Sequence, residues 1–218
     1  ERAKKRFDGV IPGNIQTLSL GCYNFPCMFL LPDVLKQLRT VSPNIHPRLQ
    51  VIPFQHIYQM LEEGDLDAVV GFKEPPGIKL HALYKEITQV PMVCVCSPQN
   101  DLSKQSEVSL PMLCNQKLVL FVPSKTIPPI AQLQGQLIGD TAPSDLYFCE
   151  SAEAITVLVM ANYGISILPS FLVPDIPMIC RIPLKDVQTA SFGIYYKSLQ
   201  GNQELKKFIQ CAKDCFQT

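Results

Sequence analysis

The sequence predicts an α/β fold of two lobes joined by a two-strand hinge, and three observations carry that prediction. Strand-like and helix-like segments alternate from residue 14 to 87, the alternation restarts between 116 and 169, and extended segments at 90–97 and 190–197 flank the second run. Alternation of this kind marks a mostly parallel sheet with helices on its faces, so each lobe is read as Rossmann-like. A chain that leaves one lobe and later returns to it crosses twice, and two crossings make a hinge with a cleft between the lobes.

The elements follow from period and punctuation. "NIQTLSLG" (14–21) reads as a strand, and residues 26–40 as a helix opened by Pro26, with Asn24 as its N-cap. "SPNIHP" breaks that helix, "RLQVIP" (48–53) is a strand, and the helix "QHIYQMLEEG" stops at Gly64. "DLDAVVGF" (65–72) is a buried strand, followed by the loop "KEPPG" and the extended segments "KLHALYKEI" and "VPMVCVCS". In the second run, residues 116–123 and 145–150 are strands and 128–137 a helix. Residues 151–164 form a helix with Ser151 as N-cap, Glu153 in the first turn and Gly164 as its stop, leading into the strand 165–169. The chain closes with the extended "ASFGIYYK" and a helix over 202–216. The expected partition is a linker-helix tail at 1–11, a first lobe of 12–95 with 188–218, and a second lobe of 96–187.

Composition narrows the function. The 218 residues carry 19 basic and 19 acidic side chains, which argues against this polypeptide gripping nucleic acid by itself. No apolar run reaches the ~20 residues that span a bilayer. Nine cysteines sit mostly in apolar stretches, where a free thiol acts as a small hydrophobe, and their number fits a reducing, cytoplasmic compartment. Cys94 and Cys96 are expected on opposite sides of their strand; Cys211 and Cys215 share a helix face with no histidine near. His46, His56 and His81 stand at no zinc spacing and no serine lies in a G-x-S-x-G elbow, so no metal, no cofactor and no catalytic residue is read.

Ligand sites of open α/β sheets lie beyond the carboxyl ends of strands, near helix starts. Those positions here are Cys22, Tyr23 and Asn24; Gly71 and Phe72; Ser124, Lys125 and Thr126; and Cys149 with Ser151. Each has a plainer reading. Asn24 and Ser151 cap helices, Tyr23 packs outward, Phe72 belongs to the core, and Lys125 is a solvated loop lysine that in the cleft would neutralise a carboxylate.

The quoted segments have a resemblance as well. "IQTLSLG…FLLPDVLKQLRTVSPNI", "LQVIPFQHIYQMLEEGDLDAVVGF", "VPMVCVCSPQNDLS", "AITVLVMANYGISILP" and "GNQELKKFIQCA" together resemble the effector-binding domain of LysR-type transcriptional regulators, over residues 12 to about 215. The resemblance implies a type 2 periplasmic-binding-protein-like fold and a small-molecule inducer in the cleft, with a carboxylate or other anion suggested by Lys125. It also implies a homodimer through helices 26–40 and 128–137, and DNA contact only through an N-terminal winged helix-turn-helix that these residues do not include. The family's redox branch suggests a thiol switch, for which Cys22 with Cys27 is the best pair in the chain. Two rivals stand beside the regulator. An extracytoplasmic solute-binding protein of a transporter would share the two-lobe design, and the nine cysteines lean against it; a partner-binding domain would keep the cleft without a ligand.

Overall fold

In a computed structural model, which describes residues 15–75, 80–123, 126–139 and 141–216, two sheets organise the chain. The first has the order β2-β1-β3-β10-β4, from β1 (Gln16–Cys22), β2 (Ile45–Val51), β3 (Ala68–Phe72), β4 (Leu83–Val90) and β10 (Ala190–Tyr196). Strands β1 to β3 run parallel, and β10 runs antiparallel between β3 and β4. Helices α1 (Phe25–Met28), α2 (Pro32–Val41), α3 (Phe54–Glu63) and, from the end of the chain, α7 (Gln203–Phe216) complete this lobe. Asp67 fixes two of these pieces: its Oδ2 accepts from the Ser19 amide at 2.8 Å in β1, and its Oδ1 from Asn202 Nδ2 at 3.4 Å. Asn202 in turn caps α7, accepting from the Leu205 amide at 2.9 Å.

The second lobe holds an antiparallel sheet of order β8-β5-β9, formed by β5 (Met92–Cys96), β8 (Ser166–Pro169) and β9 (Cys180–Pro183). A parallel pair, β6 (Leu118–Phe121) and β7 (Leu146–Cys149), joins it through a single bridge from Leu118 to Ile165. Helices α4 (Leu110–Leu113), α5 (Pro128–Ile138) and α6 (Ala152–Met160) belong here. The fold is therefore the expected α/β arrangement of two lobes. Sheet membership changes at Pro91, between β4 and β5, and changes back between Pro183 and Ala190. The expected linker tail at 1–11 lies outside the described residues.

Local structure departs from expectation where proline and asparagine act. The helix expected over 26–40 is broken: α1 is a single turn and α2 begins afresh at Pro32. Pro32 has no amide to continue the hydrogen-bond ladder, so it can only start a helix. The strand expected at 48–53 begins earlier, at Ile45, and includes Pro47; this is tolerated because β2 is an edge strand. Helix α6 ends at Met160, not at 164, because Asn162 takes the left-handed conformation (φ 60°) expected of Gly164. Gly164 serves a different purpose, since a Cβ there would strike the Lys117 carbonyl. Strand β9 and helix α4 had no counterpart in the sequence reading.

The lobes share one contiguous buried core. At the hinge it is aromatic. Phe72 in β3 and Phe192 in β10 meet at 5.2 Å between ring centres; Phe171 lies 5.4 Å from Phe192 and 5.8 Å from Phe216 of α7. Phe171 sits in a turn of 3₁₀ helix (Ser170–Leu172), and the Ser170 amide donates to the Pro91 carbonyl at 2.9 Å, tying this turn to the crossing. Phe192→Ala empties the centre of this cluster and should cost about 3–5 kcal/mol. Thermal unfolding should then show a Tm lower by roughly 6–20 °C for a chain of this size.

Candidate functional site

The carboxyl ends of β1 and β3 place Cys22, Tyr23, Gly71 and Phe72 side by side. Cys22 ends β1 fully buried, and that burial pushes its thiol up to about 12. Tyr23 lies flat over Gly71: a Cβ on Gly71 would come within 2.8 Å of the tyrosine ring. The Tyr23 hydroxyl donates to the Phe72 carbonyl at 3.4 Å, and its ring meets Phe54 edge-on at 5.6 Å. Asn24 precedes α1 with extended backbone (φ −113°), and its carbonyl accepts from the Cys27 amide at 3.1 Å; its side chain makes no capping bond. Because α1 is one turn long and Pro26 has no amide, its start carries little of a helix dipole, which needs several aligned turns.

The second lobe meets this turn from across the hinge. Helix α1 packs on the 3₁₀ turn of Phe171. Cys27, fully buried in α1, is pushed well above the ordinary thiol range by burial, then by the charge of Cys22 and by that of Glu153 in the first turn of α6. Ser151 caps α6, its Oγ accepting from the Ala154 amide at 3.2 Å, and Cys149 is buried at the end of β7, where its carbonyl accepts from the Val122 amide. Thr126 is half-buried and donates to the adjacent Ile127 carbonyl, at 3.4 Å. Ser124 and Lys125 lie outside the described residues.

Several sequence readings change with this geometry. Phe72 is fully buried against Phe192 and belongs to the core. Cys22 and Cys27 are neighbours, as a thiol switch would require, but both are buried and both thiols are raised, the reverse of an activated thiolate. Cys94 and Cys96 share a face of β5, since residues two apart on a strand do so; the expectation of opposite sides miscounts the pleat. Two surface hollows, of about 210 and 320 Å3, flank α2 and β2, and neither is lined by any of the expected site residues. Among the described residues no cluster of histidine, cysteine and carboxylate is arranged to hold a metal ion, and no helix is long and apolar enough to cross a membrane.

One group that the sequence reading missed is Glu74, just past β3. Its Oε1 accepts from the Tyr58 hydroxyl at 2.9 Å, and its amide donates to the Tyr195 hydroxyl at 2.7 Å. Tyr23, Phe54, Tyr58, Tyr195 and Tyr84 form a chain of ring contacts beside it, spaced 4.6–5.6 Å. Burial raises the Glu74 carboxyl above its ordinary value, and hydrogen bonds from Tyr58 and Tyr23 partly oppose that. The signal in the sequence is weak, because four tyrosines scattered over 170 residues form no motif.

The two-lobe architecture is that of the periplasmic-binding-protein-like domains. Residues 13–217 match the model of the LysR substrate binding domain, and the chain belongs to that family. Its members are small-molecule-sensing regulatory domains of LysR-type transcription regulators, and it is not an enzyme family. Solved structures agree on the fold. HinK, a LysR family transcriptional regulator from Pseudomonas aeruginosa, superposes with a TM-score of 0.76 at 16% identity, over 98% of this chain and 74% of that one. The BenM effector binding domain with its effector benzoate gives 0.74 at 18% identity, over 94% of each chain. The reduced OxyR regulatory domain from Pseudomonas aeruginosa gives 0.72 at 18%, over 92% of this chain and 98% of that one. Comparison with curated protein sequences gives no significant match.

The raised Glu74 carboxyl has a consequence for stability. The folded state holds a proton there that the unfolded chain has already released, so stability falls as pH rises from the ordinary glutamate value, 4.5, through the raised one. The penalty is complete above that raised value and absent below 4.5. Glu74→Gln should therefore be the more stable protein near neutral pH and lose that advantage on acidification, as read from paired urea titrations across the range.

Proposed function

We propose that this domain binds a small anionic or polar effector, a carboxylate being the leading class, between its lobes. The contacting groups would be the Cys22–Asn24 turn, Gly71 and Phe72 from the first lobe, with Ser124, Lys125, Thr126, Cys149 and Ser151 from the second. The observation that carries the reading is the turn after β1, which lies beside Gly71 and Phe72 at the end of β3 and leads into α1, itself packed on the 3₁₀ turn of the second lobe. Cys22 and Phe72 would contribute buried surface beneath the ligand, not polar contacts. Lys125 would supply the charge that an anion needs. BenM, solved with benzoate, supports a carboxylate by analogy of fold.

The lobes in this proposal follow the partition read from the sequence (12–95 with 188–218, and 96–187), except that the first crossing moves back from residues 95–97 to Pro91, because β5 pairs within the second sheet. An effector that holds one lobe arrangement more tightly than the other shifts their balance; equal affinity for both would change nothing. The homodimer would form through residues 26–40 and 128–137, which are α1 with α2, and α5. Support comes from the edge strand β2 beside α2, where Leu49 and Val51 are exposed, as is Val41 at the helix end. DNA would be reached only through a winged helix-turn-helix domain, the working compartment would be the cytoplasm, and the domain would carry out no catalysis.

The test is thermal unfolding against a panel of carboxylates, aromatic acids, amino acids and inorganic anions. A true effector at about a hundred times its Kd should add about 2.7 kcal/mol, or roughly 5–10 °C in Tm. Lys125→Ala should abolish the shift for an anion while leaving the unliganded Tm within a few degrees. A flat panel, or a shift indifferent to Lys125→Ala and Asn24→Ala alike, would refute the anion site.

A further inference from the structure

The geometry points to Cys96 and Cys180 as a cross-strand thiol pair that closes to a disulfide and clamps the second sheet where the chain enters it. The pairing of β5 with β9 sets Cys96 directly opposite Cys180. Residues directly opposed in an antiparallel ladder point to the same face, with Cα atoms about 4.5–5.5 Å apart. A disulfide accepts Cα separations of about 4.4–6.8 Å, so the backbone already stands at bridging distance. Burial first, then the charge and hydrogen bond of the neighbouring Cys180, push the Cys96 thiol up to about 12.

The two thiols differ in access, as an attacking and a resolving partner should. Cys96 is fully buried, whereas Cys180 is half-buried at the start of β9. They are also the last residue of β5 and the first of β9, where the ladder ends and the backbone can yield. Among the described residues no other two cysteines stand opposite each other in a strand ladder. Cys94 opposes Ile182, Cys114 stands alone on the surface, and Cys22 with Cys27 is closed to reagents. Cys211 and Cys215 are one helical turn apart, a Cβ separation of about 5–6 Å, too long for a bridge.

The reaction is exchange with a low-molecular-weight disulfide, RSSR, of the glutathione type. The Cys180 thiolate attacks one sulfur, forms a mixed disulfide and expels the first thiolate, which takes up the proton that Cys180 lost. Cys96 then gives up its proton, attacks the Cys180 sulfur and expels the second RSH. Two protein thiols are oxidised and one RSSR is reduced to two RSH. The buried Cys96 makes the second step the slow one. The closed bond spans nearly the whole second lobe and fixes β9 to the strand that leaves the hinge, so it stiffens that lobe independently of any effector.

Incubation of the chain with oxidised glutathione, followed by thiol counting, non-reducing peptide mapping and thermal unfolding, tests this. Expected are the loss of two free thiols, a linked Cys96–Cys180 peptide and a Tm higher by roughly 5–15 °C that dithiothreitol reverses. Cys180→Ser should abolish all three and Cys94→Ser should leave them; Cys180→Ala serves if the serine variant folds poorly. A glutathione adduct on Cys180 that never resolves, a linkage through any other pair, or two thiols that stay free after prolonged oxidation would each overturn the assignment.

Discussion

The insertion of β10 between β3 and β4 is the constraint on which the rest of this structure depends. The strand returns from the second lobe and runs antiparallel to both neighbours, so the first sheet cannot be completed until the second lobe has been traversed. Its tightest point is Gly193, where a Cβ would strike the Lys85 carbonyl and the Tyr84 ring. Beside it the register with β4 shifts by one residue between Phe192 and Gly193, a bulge that helps turn Phe192 into the hinge cluster. Closure of the fold and rigidity of the hinge are therefore one event.

This closure shapes the candidate site. The Phe72, Phe192, Phe171 and Phe216 rings fill the junction between the lobes, so none of these rings is free to move with one lobe alone. On the flank of the same strand ends, Glu74 gathers hydroxyls from α3 and β10 around the loop that follows β3. Gly71 matters to both, since its missing side chain is the space in which Tyr23 lies.

How much of this was legible in the sequence depends on the range of the forces involved. The alternation of strand and helix, the stop at Gly64, the cap at Ser151 and the buried run "DAVVGF" were all readable, because each rests on contacts within a few residues. The resemblance of ordered segments placed the family and the two lobes. The break of the first long helix was also written in Pro32, although the apolar spacing across it masked the signal. The Glu74 cluster was not readable, since Tyr58 and Tyr195 lie in different elements and meet only when β10 pairs with β3. Nor was the side-by-side placement of Cys96 and Cys180, which β9 alone creates.

What the sequence determined by itself, then, is the kind of protein: an α/β chain with helix starts and strand ends at the positions where such folds bind ligands, and with no charge excess for holding DNA on its own. Hydrophobic period, capping and proline chemistry are local, and local patterns survive in the linear order of residues. The tertiary structure decided which phenylalanines fill the hinge and which cysteines stand opposite each other. Those outcomes depend on strand order and register, set by burying apolar faces over separations of a hundred residues or more, and no short stretch of sequence carries them.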